Sequence, residues 1–367
     1  MKVPFLDLKI QYQSIKQEIN ESIQMILDNS AFVMGKAVSE FEQEFSIVHN
    51  AKYCAGLSSG TDGNHIVLWA LGIGQGDEVI IPANTFIATA WGATLCGATP
   101  VFVDCDPESY NIDPKKIEAA ITPKTKAIVA VHLYGQAADM DAINQIGKKY
   151  NLMIVEDCAQ SHVAEYKGKK VGTLAMASSF SFYPGKNLGA YGEAGAAMTN
   201  DPVLFKKFKM IRDHGGEQKY SHEIYGHNYR MEGIQGAVLG VKLKYLPTWT
   251  EQRRAIAKKY SALLTGIGDI ITPKEMLYSK HVYHLFVIQT TQRNALQKYL
   301  TGKGIGTGLH YPIPLHLQKC FEHLGYKKGD MSVAEQLADR CLSIPIFAEL
   351  TDEQIHYVVN TIKEFYC

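Results

Sequence analysis

Asn151-Leu-Met-Ile-Val-Glu-Asp157-Cys-Ala-Gln160 is an uncharged run that ends in two adjacent carboxylates and a turn of small and polar residues. A short apolar run bounded by turn residues reads as a fully buried strand of a parallel sheet, and the two acids mark its carboxyl end. Runs of the same kind recur upstream: Lys52-Tyr-Cys-Ala-Gly-Leu-Ser58, Glu78-Val-Ile-Ile81, Pro100-Val-Phe-Val-Asp104 and Ala127-Ile-Val-Ala-Val-His132. Amphipathic helical segments separate them. That alternation predicts an α/β fold, a mostly parallel mixed sheet between helices. Ligands of such sheets collect beyond the carboxyl ends of the strands. The residues to inspect are therefore Ser59-Gly60-Thr61, Asn84-Thr-Phe86, His132, and Asp157 to Gln160. After Asn228-Tyr-Arg-Met231 the chain reads as helical to about Leu264, broken near Pro247. We expect a large domain over 1–245, with an N-terminal helix, and a smaller C-terminal α/β domain over 246–367.

A second stretch carries chemistry. Ser178-Ser-Phe-Ser-Phe-Tyr-Pro-Gly-Lys186-Asn-Leu-Gly-Ala-Tyr-Gly-Glu-Ala-Gly195 has no charge between Lys170 and Lys186 and opens into a glycine-rich turn, the pattern of a buried amine. A lysine amine and a strand-end aspartate are what pyridoxal phosphate requires: the lysine for the Schiff base, the aspartate to keep the pyridine nitrogen protonated. Either alone means little, since most lysines are solvated and most strand-end aspartates cap a helix or turn. Ser59-Gly60-Thr61 before a helix starting near Asp62 suits a phosphate, although it also describes an ordinary helix cap. Ser181 offers a second hydroxyl to that phosphate, or is a plain strand serine. Phe86 reads either as a ring-stacking aromatic or as core, and Gln160 either as a cofactor ligand or as a turn residue. Leu309-His-Tyr-Pro-Ile-Pro-Leu-His316 forms a rigid wall suited to a sugar. A metal at His310 or His316 with Cys320, Glu322 and His323 matches no zinc spacing.

Composition narrows the partners. Lys plus Arg equals Asp plus Glu at 37 each in 367 residues, so no net field favours nucleic acid or an anionic membrane. Seven cysteines without a Cys-x-x-Cys pair fit reduced thiols and a cytoplasmic protein. The charged start, Met1-Lys-Val-Pro-Phe-Leu-Asp-Leu-Lys9, does not read as an export signal. Val79 to Val103 is uncharged but broken by Pro82, Asn84 and Pro100, so we expect no membrane span. Dinucleotide, nucleotide-triphosphate and serine-hydrolase motifs are absent.

Taken in order, Pro4-Phe-Leu-Asp-Leu8, Ser59-Gly-Thr61, Tyr110-Asn-Ile-Asp113, His132-Leu-Tyr-Gly135, Glu156-Asp-Cys-Ala-Gln160, the Lys186 segment, Arg212-Asp-His-Gly215, Gly226-His-Asn-Tyr-Arg-Met231, His310-Tyr-Pro-Ile-Pro314 and Leu350-Thr-Asp-Glu-Gln354 resemble the DegT/StrS family. These are fold type I, pyridoxal phosphate-dependent nucleotide-sugar aminotransferases. The resemblance implies Lys186 as the Schiff-base lysine, Asp157 on the pyridine nitrogen, Gln160 beside the ring oxygen, Phe86 stacked on the ring, and Gly60, Thr61 and Ser181 on the phosphate. It further implies Asn228 reaching that phosphate from the other subunit of a homodimer, and Tyr183, His310 and Tyr311 near the sugar. Pyridoxamine phosphate would be the intermediate form of the cofactor. L-glutamate and a nucleotide-linked keto sugar would be the substrates, for the amino sugars of surface polysaccharides such as O-antigen. Tyr183, where carbon-4 enzymes often carry histidine, looks more like enzymes acting at carbon 3 of thymidine-diphosphate 3-keto-6-deoxyhexoses. A uridine-diphosphate N-acetyl sugar remains open. The chain departs from the family pattern at Gly63-Asn64, where alanine and leucine are frequent, at Val163 in place of glycine, and at Ala194. Lys186 argues against a sugar dehydratase, which carries histidine there, and the intact cofactor set argues against a non-enzymatic sensor. An ordinary amino-acid aminotransferase would want an arginine for the second carboxylate, with Arg212 and Arg230 the candidates.

Overall fold

A computed structural model describes residues 1–367. Seven strands form its main sheet: β1 (Tyr53–Leu57), β2 (Glu78–Pro82), β3 (Thr99–Val103), β4 (Thr125–Val131), β5 (Met153–Asp157), β6 (Ala177–Ser181) and β7 (Gly195–Thr199). Their order across the sheet is β1-β7-β6-β5-β4-β2-β3. From β3 to β6 all pairings are parallel, whereas β7 runs antiparallel to both β6 and β1. The predicted strands are present, and β7 is an addition. It follows the lysine turn and doubles back into the sheet.

Burial on both faces explains why these strands read as continuous apolar runs. Successive side chains point to opposite faces. Val79, Ile81, Val129 and Val131 accordingly join one core, while Ile80, Ile128 and Ala130 join the other. The helix expected near Asp62 begins at Gly60, with Ser59 as its cap: the Ser59 hydroxyl accepts from the Asp62 amide at 3.1 Å. Pro247 falls in the first turn of the helix Leu246–Leu264, where a missing amide is tolerated, so the predicted break separates it from the helix Gly233–Leu243.

Farther along, β8 (Phe286–Gln289) pairs antiparallel with β9 (Cys341–Ile344). A third core gathers around them, including Tyr260, Phe286, Leu342, Ile344, Val358 and Ile362. The closing helix Asp352–Tyr366 starts on a capping box between Thr351 and Gln354. The N-terminus also belongs here. Val3 is fully buried in this core and bridges Ile305, and Phe5 stacks on His310 at 5.8 Å. No helix is long and apolar enough to cross a membrane, and all seven cysteines are free thiols.

Candidate active site

The carboxyl ends of β4, β5 and β6, the start of the helix Gly60–Ala70 and the segment around His310 enclose a cavity of about 640 Å³. Gly60, Thr61, Phe86, Asp157, Gln160, Ser181, Tyr183, Lys186, His310 and Tyr311 all line it. Asn228 does not. It is exposed on the chain's surface, where it bridges Asp213.

Lys186 follows β6 in the turn that leads to β7. Burial lowers its amine from 10.5 to about 8, and the negative charge of Asp157 only partly opposes that shift. Part of its surface opens to the cavity, and the rest is packed in protein. The nearby histidines are neutral for the same reason. Burial and then the Lys186 charge hold His284 well below the usual range and His310 at about 4. His162 is likewise lowered by burial, and both of its ring nitrogens lack a partner. Lys186 is thus the group in this cluster whose protonation changes near neutral pH.

Asp157 is fixed from three sides. Its Oδ2 accepts from Asn64 Nδ2 at 3.0 Å and from Thr89 Oγ1 at 2.8 Å, while Oδ1 accepts from the Ala159 amide at 3.0 Å. An ionised carboxylate offers about four acceptor positions, so one remains free. Its sequence neighbour Glu156 has a different task. Glu156 takes His132 Nε2 at 3.0 Å and the amides of Gly172, Leu174 and Ala175 at 2.7 to 3.0 Å. His132 Nδ1 accepts from the Ala138 amide, so His132 and Glu156, with the buried Cys158 thiol close by, form a hydrogen-bonded pair that ties the loop before β6 to the sheet.

At the helix start, a Cβ placed on Gly60 would lie 2.5 Å from Ser181 Cβ. Only glycine allows this approach, which joins the helix end and the end of β6 into one polar cup. The Gly60 and Thr61 amides there have no backbone acceptor. Phe86 caps the helix Ile87–Leu95 with half its surface exposed, 5.6 Å from the Tyr311 ring. Gln160 is held at both ends: its Oε1 accepts from the Tyr134 amide at 2.7 Å and its Nε2 donates to Tyr311 at 2.9 Å. His310 Nδ1 meets Ser343 Oγ at 2.8 Å, and Tyr183 stands half exposed at the rim.

These residues fit pyridoxal phosphate. An amine with depressed pKa, a buried carboxylate with one acceptor position left, and a helix-start cup for an anion surround one cavity.

Several wall residues were not anticipated from sequence: Asn64, Thr89, Arg253 and His284. Neither arginine weighed from sequence faces the cavity. Arg212 pairs with Glu42 and Arg230 with Asp213. Arg253 takes the wall instead, donating to the carbonyls of Tyr283, His284 and Ile346 at 3.0 to 3.3 Å. Val163 adopts φ 58°, a left-handed value that accounts for the glycine usual there.

This fold and this cavity define a class, the fold type I aminotransferases that work with pyridoxal phosphate. The sequence matches the DegT/DnrJ/EryC1/StrS aminotransferase family over residues 13–363, and the chain belongs to that family. It is 48% identical to a pleiotropic regulatory protein of Geobacillus stearothermophilus, over 100% of this chain and 99% of that one. It is 42% identical to dTDP-3-amino-3,6-dideoxy-alpha-D-galactopyranose transaminase of Aneurinibacillus thermoaerophilus, over 99% of both chains. Among solved structures, S. venezuelae DesV in complex with a ketimine intermediate superposes with a TM-score of 0.97 at 40% identity, covering 100% of this chain and 98% of that one.

Proposed function

We propose that the protein moves an amino group from L-glutamate to carbon 3 of a dTDP-linked 3-keto-6-deoxyhexose, for amino-sugar biosynthesis. The observation that carries this reading is Lys186, an amine lowered to about 8 in a cavity it shares with Asp157. The similarity to a dTDP-3-amino sugar transaminase supports the substrate class. We place the division between the large and small domains at residues 245 and 246.

Pyridoxal phosphate bound in the cavity would supply an electron sink and a carbonyl able to take up the donor's amino group. Lys186 Nζ takes the proton from the glutamate α-carbon and, in the second half-reaction, delivers one to the sugar carbon. With a pKa of about 8 it is partly neutral at physiological pH and can do both. Asp157 holds the ring nitrogen protonated through its negative charge. Gly60, Thr61 and Ser181 would hold the cofactor's phosphate, joined by Asn228 of the partner subunit in a homodimer. Phe86 and Gln160 would hold its ring. Tyr183, His310 and Tyr311 face the sugar.

The test is to supply the purified holoenzyme with glutamate labelled by nitrogen-15 at its amino group and a panel of keto sugars. The panel holds dTDP-3-keto-6-deoxyhexose, its 4-keto isomer and a UDP-N-acetyl-3-keto sugar, with products read by NMR. Nitrogen-15 at carbon 3 of the dTDP sugar is expected. Label at carbon 4, or turnover of the UDP sugar alone, would overturn the substrate assignment. A regulatory role without catalysis, in line with the name of the Geobacillus relative, predicts no turnover with any of them.

A further inference from the structure

We infer that Asn64 is a positioning residue for the reaction: its carboxamide orients Asp157, leaving one carboxylate lone pair to face the ring nitrogen. The inference rests on the assignment of Asp157 to that nitrogen. Asn64 lies in the helix Gly60–Ala70, which is buried nearly all round, so a polar side chain there is costly unless satisfied. It is only 4% exposed, and both ends of its amide are engaged. Nδ2 donates to Asp157 Oδ2 at 3.0 Å, and Oδ1 accepts from the Ser179 hydroxyl. The opposite amide orientation would set Oδ1 against the carboxylate oxygen, two acceptors with no proton between them, so the charge of Asp157 fixes the orientation.

Thr89 reaches the same oxygen from a second helix, Ile87–Leu95. That helix lies close because Gly92 has no side chain: a Cβ there would fall 2.9 Å from Asn64 Cβ. Two neutral donors therefore converge on Oδ2, and Oδ1 holds only the Ala159 amide. Neutral donors hold a carboxylate in place without cancelling its charge, which a lysine or arginine in the same place would do. The free acceptor position then falls on Oδ1. Sequence alone marks Asn64 only as an unusual residue after Ser59-Gly-Thr-Asp62.

The test uses the full-length enzyme and two readouts: the absorbance of bound pyridoxal phosphate against pH, and the dissociation constant of pyridoxamine phosphate, which binds without a covalent link to Lys186. Asn64→Leu should weaken pyridoxamine phosphate roughly tenfold, the scale of one charge-assisted hydrogen bond, and shift the absorbance titration. Asn64→Ala, which adds no bulk, should do the same and serves if the leucine variant does not fold. Asn64→Asp is nearly isosteric. It should restore affinity at acidic pH, where its carboxyl can donate to Asp157, and lose it as that proton leaves, a pH profile that packing alone does not produce. Asp157→Asn is the reference. If it changes both readouts while Asn64→Leu and Asn64→Ala match the wild type, Asn64 has no positioning role. If Asp157→Asn changes neither, the assignment of Asp157 to the ring nitrogen fails first.

Discussion

Replacing Lys186 with methionine in the cofactor-free protein should make the fold more stable. Burial lowers the amine from 10.5 to about 8. A group whose folded pKa lies below its unfolded value costs stability wherever the unfolded state is protonated. The penalty is complete below about pH 8, shrinks as pH rises through the interval up to 10.5, and vanishes above it. At ~1.4 kcal/mol per pH unit the interval corresponds to roughly 3.5 kcal/mol, which the opening to cavity water reduces to about 2 kcal/mol. Methionine keeps the length of the side chain, so no large cavity offsets the gain. Urea unfolding of both apo-proteins from pH 6.5 to 10, followed by circular dichroism, measures the difference; other titrating groups cancel between the two. The expected result is a variant about 2 kcal/mol more stable at pH 6.5, with the gap closing above pH 8. Equal midpoints at pH 6.5, or a gap independent of pH, would refute the view that Lys186 is held as a strained amine.

Two further perturbations read other parts of the structure. Gly60→Ala puts a methyl 2.5 Å from Ser181 Cβ and 3.1 Å from its hydroxyl, so it should cost about 1–3 kcal/mol in urea unfolding and weaken phosphate-dependent cofactor retention in dialysis. Asp104, which accepts from Lys116 Nζ at 2.8 Å and from the Val333 and Ala334 amides at 3.1 and 2.8 Å, ties the end of β3 to the helix Ser332–Arg340. Burial raises its pKa, but Lys116 and the amides outweigh that and leave it below 3.8. Asp104→Ala should therefore cost roughly 3 kcal/mol at pH 7, and the difference from wild type should shrink as pH falls below about 4, where the unfolded carboxylate begins to protonate, and on down through the lower native value.

The sequence signal was strongest where one residue type had one plausible job. Uninterrupted Val and Ile runs are typical of strands buried on both faces of a parallel sheet, so β2, β4 and β5 were legible, and with them the strand ends that carry Asp157 and Phe86. Strand β7 was not, because Gly-Ala-Ala-Met-Thr has a single β-branched residue, at its end, and forms a strand through pairing on both edges. Asn64, Thr89 and Arg253 lie in helices. A polar residue on a helix gains its meaning from what the opposing element presents, and no local pattern reveals that neighbour. Arg212 and Arg230 looked like equal candidates for the same reason until Glu42 and Asp213 were seen to occupy them.

The placement of β7 also sets the order in which the enzyme can mature during synthesis. β1 has no sheet partner until β7 exists, and the amide of Lys52 waits for the side chain of Asn200, 148 residues later. The strand leading into the polar cup at the helix start therefore leaves the ribosome with both edges unpaired, and its closure over so long a loop is slow compared with local helix formation. Cofactor capture consequently belongs to the end of folding: a nascent chain stopped short of β7 would present the Ser59-Gly60-Thr61 turn without the sheet that fixes it opposite Ser181 and Lys186.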